Sequence, residues 1–413
     1  MMKQDLGLGA RLISAAVASL FGVALPAIAE ESNKPSGVPW GPVVVYPEAD
    51  VTFKSNDNIY SQPSSGVRKS ANITVLAPKV KLEAKTGPHT FDATYRVEHG
   101  SYSGVSSANY TDQAVSGTAT WVFSGRSGLR LMAEYLQGHD DQGAVPGVAT
   151  HSNPDKYHQS SFNASGGYGA EGAQGRLEFE AGLINKRHDN FRLDNAGNPD
   201  NTKRDRDDAK LGATFYWRIM PKTQLLFQAV QTKYDYKPAS FGTWTTLDNT
   251  ERKYLVGVTW EAAAKTTGIF KVGSTRKDFS DSSLRDFSGT SWDGTVKWSP
   301  LTYSHFDFTT GKSPGESTIG NASLDTRYGV SWNHVWNSRL SSLASLNNTK
   351  TAYQANAGVA QTDKINALGL KLNYQWMRTV KLGLGYDRTD KTSTSAVSEY
   401  KRNIYSIFLN AAI

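Results

Sequence analysis

The chain has 413 residues, no cysteine, 37 glycines, 10 Trp, 19 Tyr and 16 Phe, and a formal net charge of +7. The missing cysteine excludes a disulfide framework, a lipoprotein anchor and covalent haem, so a sheath around an electron carrier is a distant reading. The modest, interspersed charge excludes nucleic acid as a partner, and export without cysteine is compatible with a Gram-negative envelope.

The N-terminus carries Lys3 and Arg11, an apolar run from Leu12 to Leu25, and then Pro26-Ala27-Ile28-Ala29. This describes a cleavable signal peptide over residues 1–29, cut after Ala29. The run is short for a transmembrane anchor and a cleavage pattern follows it. Removing it leaves 43 basic and 37 acidic residues, still a modest balance. Residues 30–45 read as a short Pro/Gly periplasmic lead, and residues 46–413 as one domain. That domain holds no stretch near the ~20 apolar residues that a membrane helix requires. It also shows almost no helical-period segment.

The pattern is clearest over 109–137. Val115, Gly117, Ala119, Trp121 and Phe123 share one face of a strand; Asp112, Ala114, Ser116, Thr118 and Thr120 share the other. After a turn at 124–127, Leu129, Leu131, Ala133 and Tyr135 alternate with Arg130, Met132 and Glu134. Side chains alternate across a strand, so an apolar wall is backed by a polar one, as in a strand with lipid on one side and water on the other.

The same unit recurs. Strands are expected near 46–55, 70–85, 89–100, 110–123, 128–138, 157–170, 175–186, 206–218, 223–236, 250–261, 268–278, 287–298, 301–310, 324–335, 339–346, 364–376, 379–388 and 401–412. Short connections at 87–88, 124–127, 171–174, 220–222, 262–267, 299–300, 337–338 and 377–378 alternate with long polar ones at 56–69, 101–109, 139–156, 187–205, 237–249, 279–286, 311–323, 347–363 and 389–400. This predicts an all-β, transmembrane, antiparallel up-and-down barrel of 18 strands, with short periplasmic turns, long extracellular loops and both termini in the periplasm. Pro78, inside the second strand, implies a bulge or a strand edge. With the poor alternation of 339–346, it leaves 16 strands as the other count.

Trp121, Trp217, Trp260, Trp298, Trp336 and Trp376 each precede a short turn, most of them beside a basic residue (Arg126, Lys222, Lys265, Arg339, Arg378). Indole rings favour the lipid–water boundary, so these six read as a periplasmic interface girdle, with outer-membrane lipid as the partner.

If the apolar face meets lipid, the lumen receives Arg96, Glu98, Arg130, Glu134, Arg176, Glu178, Glu180, Lys210, Arg218, Lys253, Glu261, Asp293, Lys297, Asp325, Arg327, Lys371 and Lys381. Unpaired buried charge is very costly, so water and cross-strand ion pairs are expected there. The set either lines a hydrated pore or braces a closed barrel, and 18-stranded barrels leave room for a channel unless plugged.

Enzyme signals are faint: no Gly-x-Ser-x-Gly elbow and no His-Glu-x-x-His occurs. His151 and His158 lack a partner at ligand spacing and read as solvated loop residues. Asp205, Asp207 and Asp208 could take a divalent cation, but the Gly and terminal Glu of an EF-hand loop are absent. Tyr157, Phe162, Tyr236, Phe241 and Trp244 are assigned to external loops, where they could stack on sugars or anchor at the interface. No catalytic residue, cofactor or metal is assigned.

The first strand ends Phe53-Lys54-Ser55-Asn56-Asp57-Asn58-Ile59-Tyr60, and the second carries Leu76-Ala77-Pro78-Lys79-Val80. In this the chain resembles a family of porin-like outer-membrane β-barrel proteins found with exopolysaccharide biosynthesis genes. Its members share an Asp-Asn signature at the end of the first strand and a proline in the second. The resemblance implies a conduit in the bacterial outer membrane for a secreted polysaccharide cargo, fed by a periplasmic polysaccharide-export component, with no chemistry on the substrate. Asp57 and Asn58 match the signature, and the sequence suggests no role for them. Ile413 departs from the aromatic residue on which many outer-membrane barrels end. The alternative is a diffusion porin for small polar solutes, for which loops 139–156 and 187–205 are long enough to fold inward. A barrel enzyme would need His residues convergent at one rim, and the eight here are scattered.

Overall fold

The computed structural model describes residues 36–142, 153–170, 172–189, 201–237, 247–262, 265–315, 317, 319–356 and 358–413. The expected signal peptide (1–29), the start of the lead (30–35), His151, Phe241 and Trp244 lie outside the described residues.

In chain order the strands are β1 (Val38–Trp40), β2 (Val43–Asn56), β3 (Ala71–Thr86), β4 (His89–Tyr102), β5 (Tyr110–Ser124), β6 (Ser127–Asp140) and β7 (Asp155–Tyr168). They continue as β8 (Gly175–His188), β9 (Arg206–Met220), β10 (Thr223–Tyr236), β11 (Asn249–Ala262), β12 (Thr266–Phe279) and β13 (Phe287–Leu301). The last are β14 (Ser304–Gly315), β15 (Ala322–Val335), β16 (Leu340–Ala355), β17 (Gly358–Met377), β18 (Val380–Ser393) and β19 (Tyr400–Ala412).

From β2 to β19 each strand pairs antiparallel with its chain neighbours, and β19 pairs with β2, from Ile404↔Asn56 to Ala412↔Glu48. The eighteen strands therefore form one closed up-and-down ring. β1 is a separate addition: residues 38–40 fold back on 43–45, so the last part of the expected lead is a small hairpin on the barrel.

Period-2 alternation sets the two faces. Phe53, Val80, Tyr95, Val115, Tyr135, Phe162, Phe179, Leu211, Phe227, Val256, Tyr328, Leu346, Leu372 and Ile407 are all exposed, and each lies on the face its strand shares with its neighbours in register. A closed barrel presents that face outward. In water it would be an apolar patch far beyond what a soluble protein tolerates. Because the ring has no free edge, its backbone groups are satisfied internally, the condition for a strand protein in a bilayer.

Pro78 produces no bulge. β3 and β4 keep one register from Leu76↔His99 to Lys79↔Arg96, and only the pairs at Ala77 and Pro78 are lost. The 16-strand count is likewise excluded, because 339–346 belongs to a genuine strand. β16 runs to Ala355 and β17 begins at Gly358, so most of the long loop expected at 347–363 is ladder. The turn expected at 299–300 lies at 302–303, between β13 and β14.

At the long-loop end of β3 the inner face is apolar as well. Ile73 and Val75 are buried, and Ile59, from the connection 57–70, joins them with Val105 and Ala108, from the connection 103–109. The start of the first connection and Val105 and Ala108 of the second fold onto the inner wall, while 67–70 stays exposed.

Candidate functional site

By alternation and register the charges expected in the lumen fall on the barrel's inner face, opposite the apolar row of their strands; Arg96 next to the exposed Tyr95 and Lys371 between the exposed Leu370 and Leu372 are examples. Many of these charges are brought together by strand spacing. Arg96 pairs with Glu98 at 2.6 Å, Arg176 with Glu178 at 3.1 Å, and Lys210 with Glu180 at 3.0 Å. Asp293 receives Lys271 at 3.3 Å, Asp325 pairs with Arg327 at 2.5 Å, and Lys253 lies 3.7 Å from Glu251. Residues two apart on a strand share a face, and so do residues opposite each other across a ladder, so these contacts follow from the alternation. Arg218 donates to the Ala173 carbonyl, and Lys381 stands at the start of β18. Arg130, Glu134, Glu261, Lys297 and Lys371 make no ion pair among the described residues.

Sequence reasoning missed further members of this face. Lys79 pairs with Glu48, and Lys81 sits between Glu83 (3.0 Å) and Asp92 (3.1 Å). Lys391 and Asp363 form a deeply buried pair at 2.9 Å. Lys79, Lys81, Glu83 and Asp92 alternate with apolar residues such as Val80, Leu82 and Phe91, so the same alternation would have found them; Lys391 and Asp363 have polar neighbours on both sides and carry no such signal.

The inner face divides into two arcs. From β2 to β13 it is charged and cross-linked by the pairs above. From β15 to β17 it is mostly neutral, with Ser331, Asn333, Ser341, Ser345, Asn347, Thr349 and Asn373 in inward positions.

Towards the long-loop end the charged arc is closed over. A short 3-10 turn, Thr202–Arg204, seats Arg204 against Asp140 at 2.7 Å. His188, whose side chain is fully buried, donates its backbone N–H to the Asp205 carboxylate at 2.9 Å; its Nδ1 lies 2.5 Å from the same oxygen and its Nε2 3.7 Å from Asp140. Beyond Gln137, β6 leaves β5, and His139 reaches Asp112 at 2.9 Å and stacks on Tyr110 at 3.9 Å. The end of loop 187–205 does fold inward, as its length allows.

Three aspartates considered for a cation are each held by the protein's own groups. Asp205 binds His188, Asp207 binds Arg187 at 2.8 Å, and Asp208 binds Arg206 at 2.7 Å. Among the described residues no cluster of His, Asp or Glu could hold a metal. His158 is not in a loop: it lies in β7 with Nδ1 2.6 Å from Asp189. Tyr157, Phe162 and Tyr236 are strand residues as well. Phe162 faces outward, while Tyr157 and Tyr236 are buried and have no open ring face to offer a sugar.

The signature residues close the ring. Asp57 accepts from the Asn403 backbone N–H at 2.8 Å and from its side-chain amide at 2.7 Å. Asn58 has no exposed surface. Its Nδ2 donates to the carbonyls of Gln62 (2.8 Å) and Lys401 (3.1 Å), and its Oδ1 accepts from the Gln62 N–H (2.9 Å). Both act where β2 meets β19.

The six tryptophans stand at the ends of strands leading into the short turns. Trp217, Trp298, Trp336 and Trp376 are exposed, and Trp121 and Trp260 are half-buried. With the apolar belt above them, the barrel has the form of a bacterial outer-membrane protein.

Among solved structures, the FrpB iron transporter of Neisseria meningitidis aligns with a TM-score of 0.49 at 12% identity, covering 84% of this chain and 62% of that one, so the chain spans less than two thirds of it. OpdK of Pseudomonas aeruginosa, solved with vanillate, aligns at 0.47 and 11% identity, covering 89% of this chain and 99% of that one. OccAB4 of Acinetobacter baumannii gives 0.47 and 11%, covering 92% and 99%. No curated protein matches. The family described as "Putative beta-barrel porin 2" matches residues 31–412, nearly the whole barrel and its lead, and the chain belongs to that family of porin-like barrels.

Proposed function

We propose that the barrel is an outer-membrane conduit through which an exopolysaccharide leaves the cell, and that its inner polar face lines a hydrated lumen. The observation that carries this is the pairing of the two arcs. On one side cations and carboxylates neutralise each other across the strands; on the other, hydroxyl and amide groups dominate. A glycan passing such a wall exchanges hydrogen bonds with water for similar ones with the protein, at little net cost in either direction. No strong one-signed field holds it in place. The resemblance of the 53–60 segment to barrels found with exopolysaccharide biosynthesis genes supports the same cargo, delivered by a periplasmic export component. Passage needs no chemistry on the substrate.

A second reading is a diffusion porin for small polar solutes. It is favoured by the seating of Ile59, Val105, Ala108 and Arg204 against the inner face at the long-loop end.

The test is a clean deletion of the gene, with polysaccharide measured in the medium, on the cell surface and in the periplasm. Export predicts loss of surface and released polymer with periplasmic accumulation, restored by the intact gene. Unchanged polymer with altered uptake of small solutes overturns the export reading in favour of the porin.

A further inference from the structure

On the outer face of β12–β18 lies an open cleft of about 750 Å³. Its floor is apolar, with Phe270, Val296, Phe308, Val330, Leu346 and Leu368, and its side towards the long loops is polar, where Asn348 donates to Asn366 at 2.7 Å. Gly294 lies directly across the ladder from Phe270, and Gly294 and Thr310, directly across from it, present little side chain, which lets the groove sink into the sheet.

Directly above it, one row further towards the long loops, the register sets Lys350 and Lys364 side by side, with Lys312 two strands away beyond Thr326 and 5.3 Å from the centre of the Trp292 ring. Lys312 pairs with Thr326, Thr326 with Lys350, and Lys350 with Lys364. Each follows its strand's outward alternation from Phe308, Leu346 and Leu368, and Lys350 and Lys364 are exposed. Like charges directly opposite each other across a ladder are destabilising. None of the three lysines has a carboxylate partner among the described residues. Asp390, on the rim of the cleft, is already held between Arg388 (3.8 Å) and Lys401 (3.5 Å). On the same outer face Arg252 and Arg276 meet Asp278, and Lys401 meets Asp390, so the adjacent pair Lys350 and Lys364 without an anion points to an anion from outside.

We infer that this cleft binds a phosphorylated acyl lipid of the outer leaflet, an acyl chain lying along Phe308, Leu346 and Leu368 and a phosphate set against Lys350 and Lys364. The site rests on the reading of the long loops as extracellular, which puts the lysine row at headgroup height. Two independent features select the ligand: an apolar trough takes the chain, and the cationic row above it takes the phosphate through charge-assisted hydrogen bonds. A neutral lipid satisfies only the first.

The test is native mass spectrometry of the purified full chain in detergent, titrated with a bisphosphorylated hexa-acyl glycolipid and, separately, with its dephosphorylated form. The expected result is a retained adduct of the phosphorylated lipid, with affinity at least about tenfold above the dephosphorylated one. The preference falls by a similar factor in K350Q/K364Q. It is unchanged in K156Q/K233Q, which removes two exposed lysines from β7 and β10, away from the cleft. Removing Lys350 and Lys364 relieves a repulsion, so the variant folds, which a heat-modifiability gel checks. Equal binding of the two lipids, retention of the preference in K350Q/K364Q, or its equal loss in K156Q/K233Q overturns the site. The assay involves no transport, so its failure leaves the conduit untouched, and failure of the conduit leaves the site.

Discussion

Asp57 and Asn403 are joined by two hydrogen bonds, backbone to carboxylate at 2.8 Å and amide to carboxylate at 2.7 Å, across 346 positions of sequence. The Asp57 N–H also donates to the Asn403 carbonyl, so the β2–β19 ladder is extended one step past the last strand pair. Asn58, beneath it, holds the chain reversal in which Ser61 takes a φ of 51°, and among the described residues no other non-glycine has a positive φ. A residue in that region persists only when its surroundings over-determine it. The signature thus fastens the first strand to the last.

Breaking it should loosen the ring at its seam. Asn58→Ala removes the amide's bonds to the Gln62 and Lys401 carbonyls and to the Gln62 N–H, at about 0.5–1.5 kcal/mol for each bond lost. Asn58→Asp is the sharper probe. It keeps the size and the acceptor but cannot donate, and it sets a carboxylate against two carbonyls. Urea unfolding of the barrel in detergent should show both variants below the parent chain, with N58D at least as low as N58A. Asp57→Asn keeps an acceptor and should lie between them and the parent.

The pair Lys391–Asp363 offers a test of buried charge in the wall. Asp363 also accepts from Gln361 at 2.8 Å and Ser393 at 2.6 Å, so its carboxylate is anchored on three sides. Lys391→Met removes the counter-charge and should cost about 3–5 kcal/mol, since an uncompensated carboxylate is left buried. The double change K391M/D363L should recover most of that loss, because two apolar groups need no partner. A double-mutant cycle on the urea midpoint measures the coupling. Equal stability of the single and double variants would place the pair in contact with bulk water.

Where one face of a strand was apolar, the sequence made the strand plain. Val115 to Phe123 against Asp112 to Thr120 identifies both a strand and its outward side, because a bilayer demands unbroken alternation. The outer halves of β16 and β17 escaped for the converse reason. Asn347, Asn348, Thr349 and Lys350 are polar on both faces, yet they pair fully with Ala367, Asn366, Ile365 and Lys364. Above the lipid belt the ladder is held by backbone bonds and polar side-chain contacts such as Asn348 to Asn366, and hydrophobic pattern carries no trace of it. Ile59 and Val105 were hidden differently: isolated apolar residues in polar connections find their partners, Ile73 and Val75, only in three dimensions. The ion pairs lay between these cases, since alternation puts the charges on one face and register alone decides which of them meet.

The inward seat of Arg204 makes a prediction about the mouth. Arg204 and Asp140 are both nearly buried, and the Asp205 backbone accepts from Lys237 at 2.7 Å, so the turn Thr202–Arg204 is held from two sides. Arg204→Ala leaves Asp140 with His188 as its remaining partner and removes the larger anchor, at a local cost of about 3–5 kcal/mol. The turn should then leave the inner face. Limited proteolysis should cut near residues 201–205 in the variant and not in the parent, and single-channel conductance should rise. Faster cutting without a rise in conductance would mean that the turn does not narrow the passage.

Ion selectivity tests which charges on the inner face act on a passing solute. Arg176 and Glu178 neutralise each other at 3.1 Å, and a neutral pair creates little field beyond about a Debye length. Arg130, Lys297 and Lys371 have no such partner among the described residues. If the inner face is wet, these three contribute most of the cationic potential that an ion meets. In planar bilayers under a salt gradient, R130Q/K297Q/K371Q should shift the reversal potential towards cation preference, and the shift should shrink at high salt as screening takes over. R176Q/E178Q, which removes a cation and an anion together, should leave the reversal potential where it was. A shift of the same size from both variants would mean that pairing does not silence a charge in this wall. No shift from either would mean that ions do not pass these residues, and the barrel would be closed along that arc.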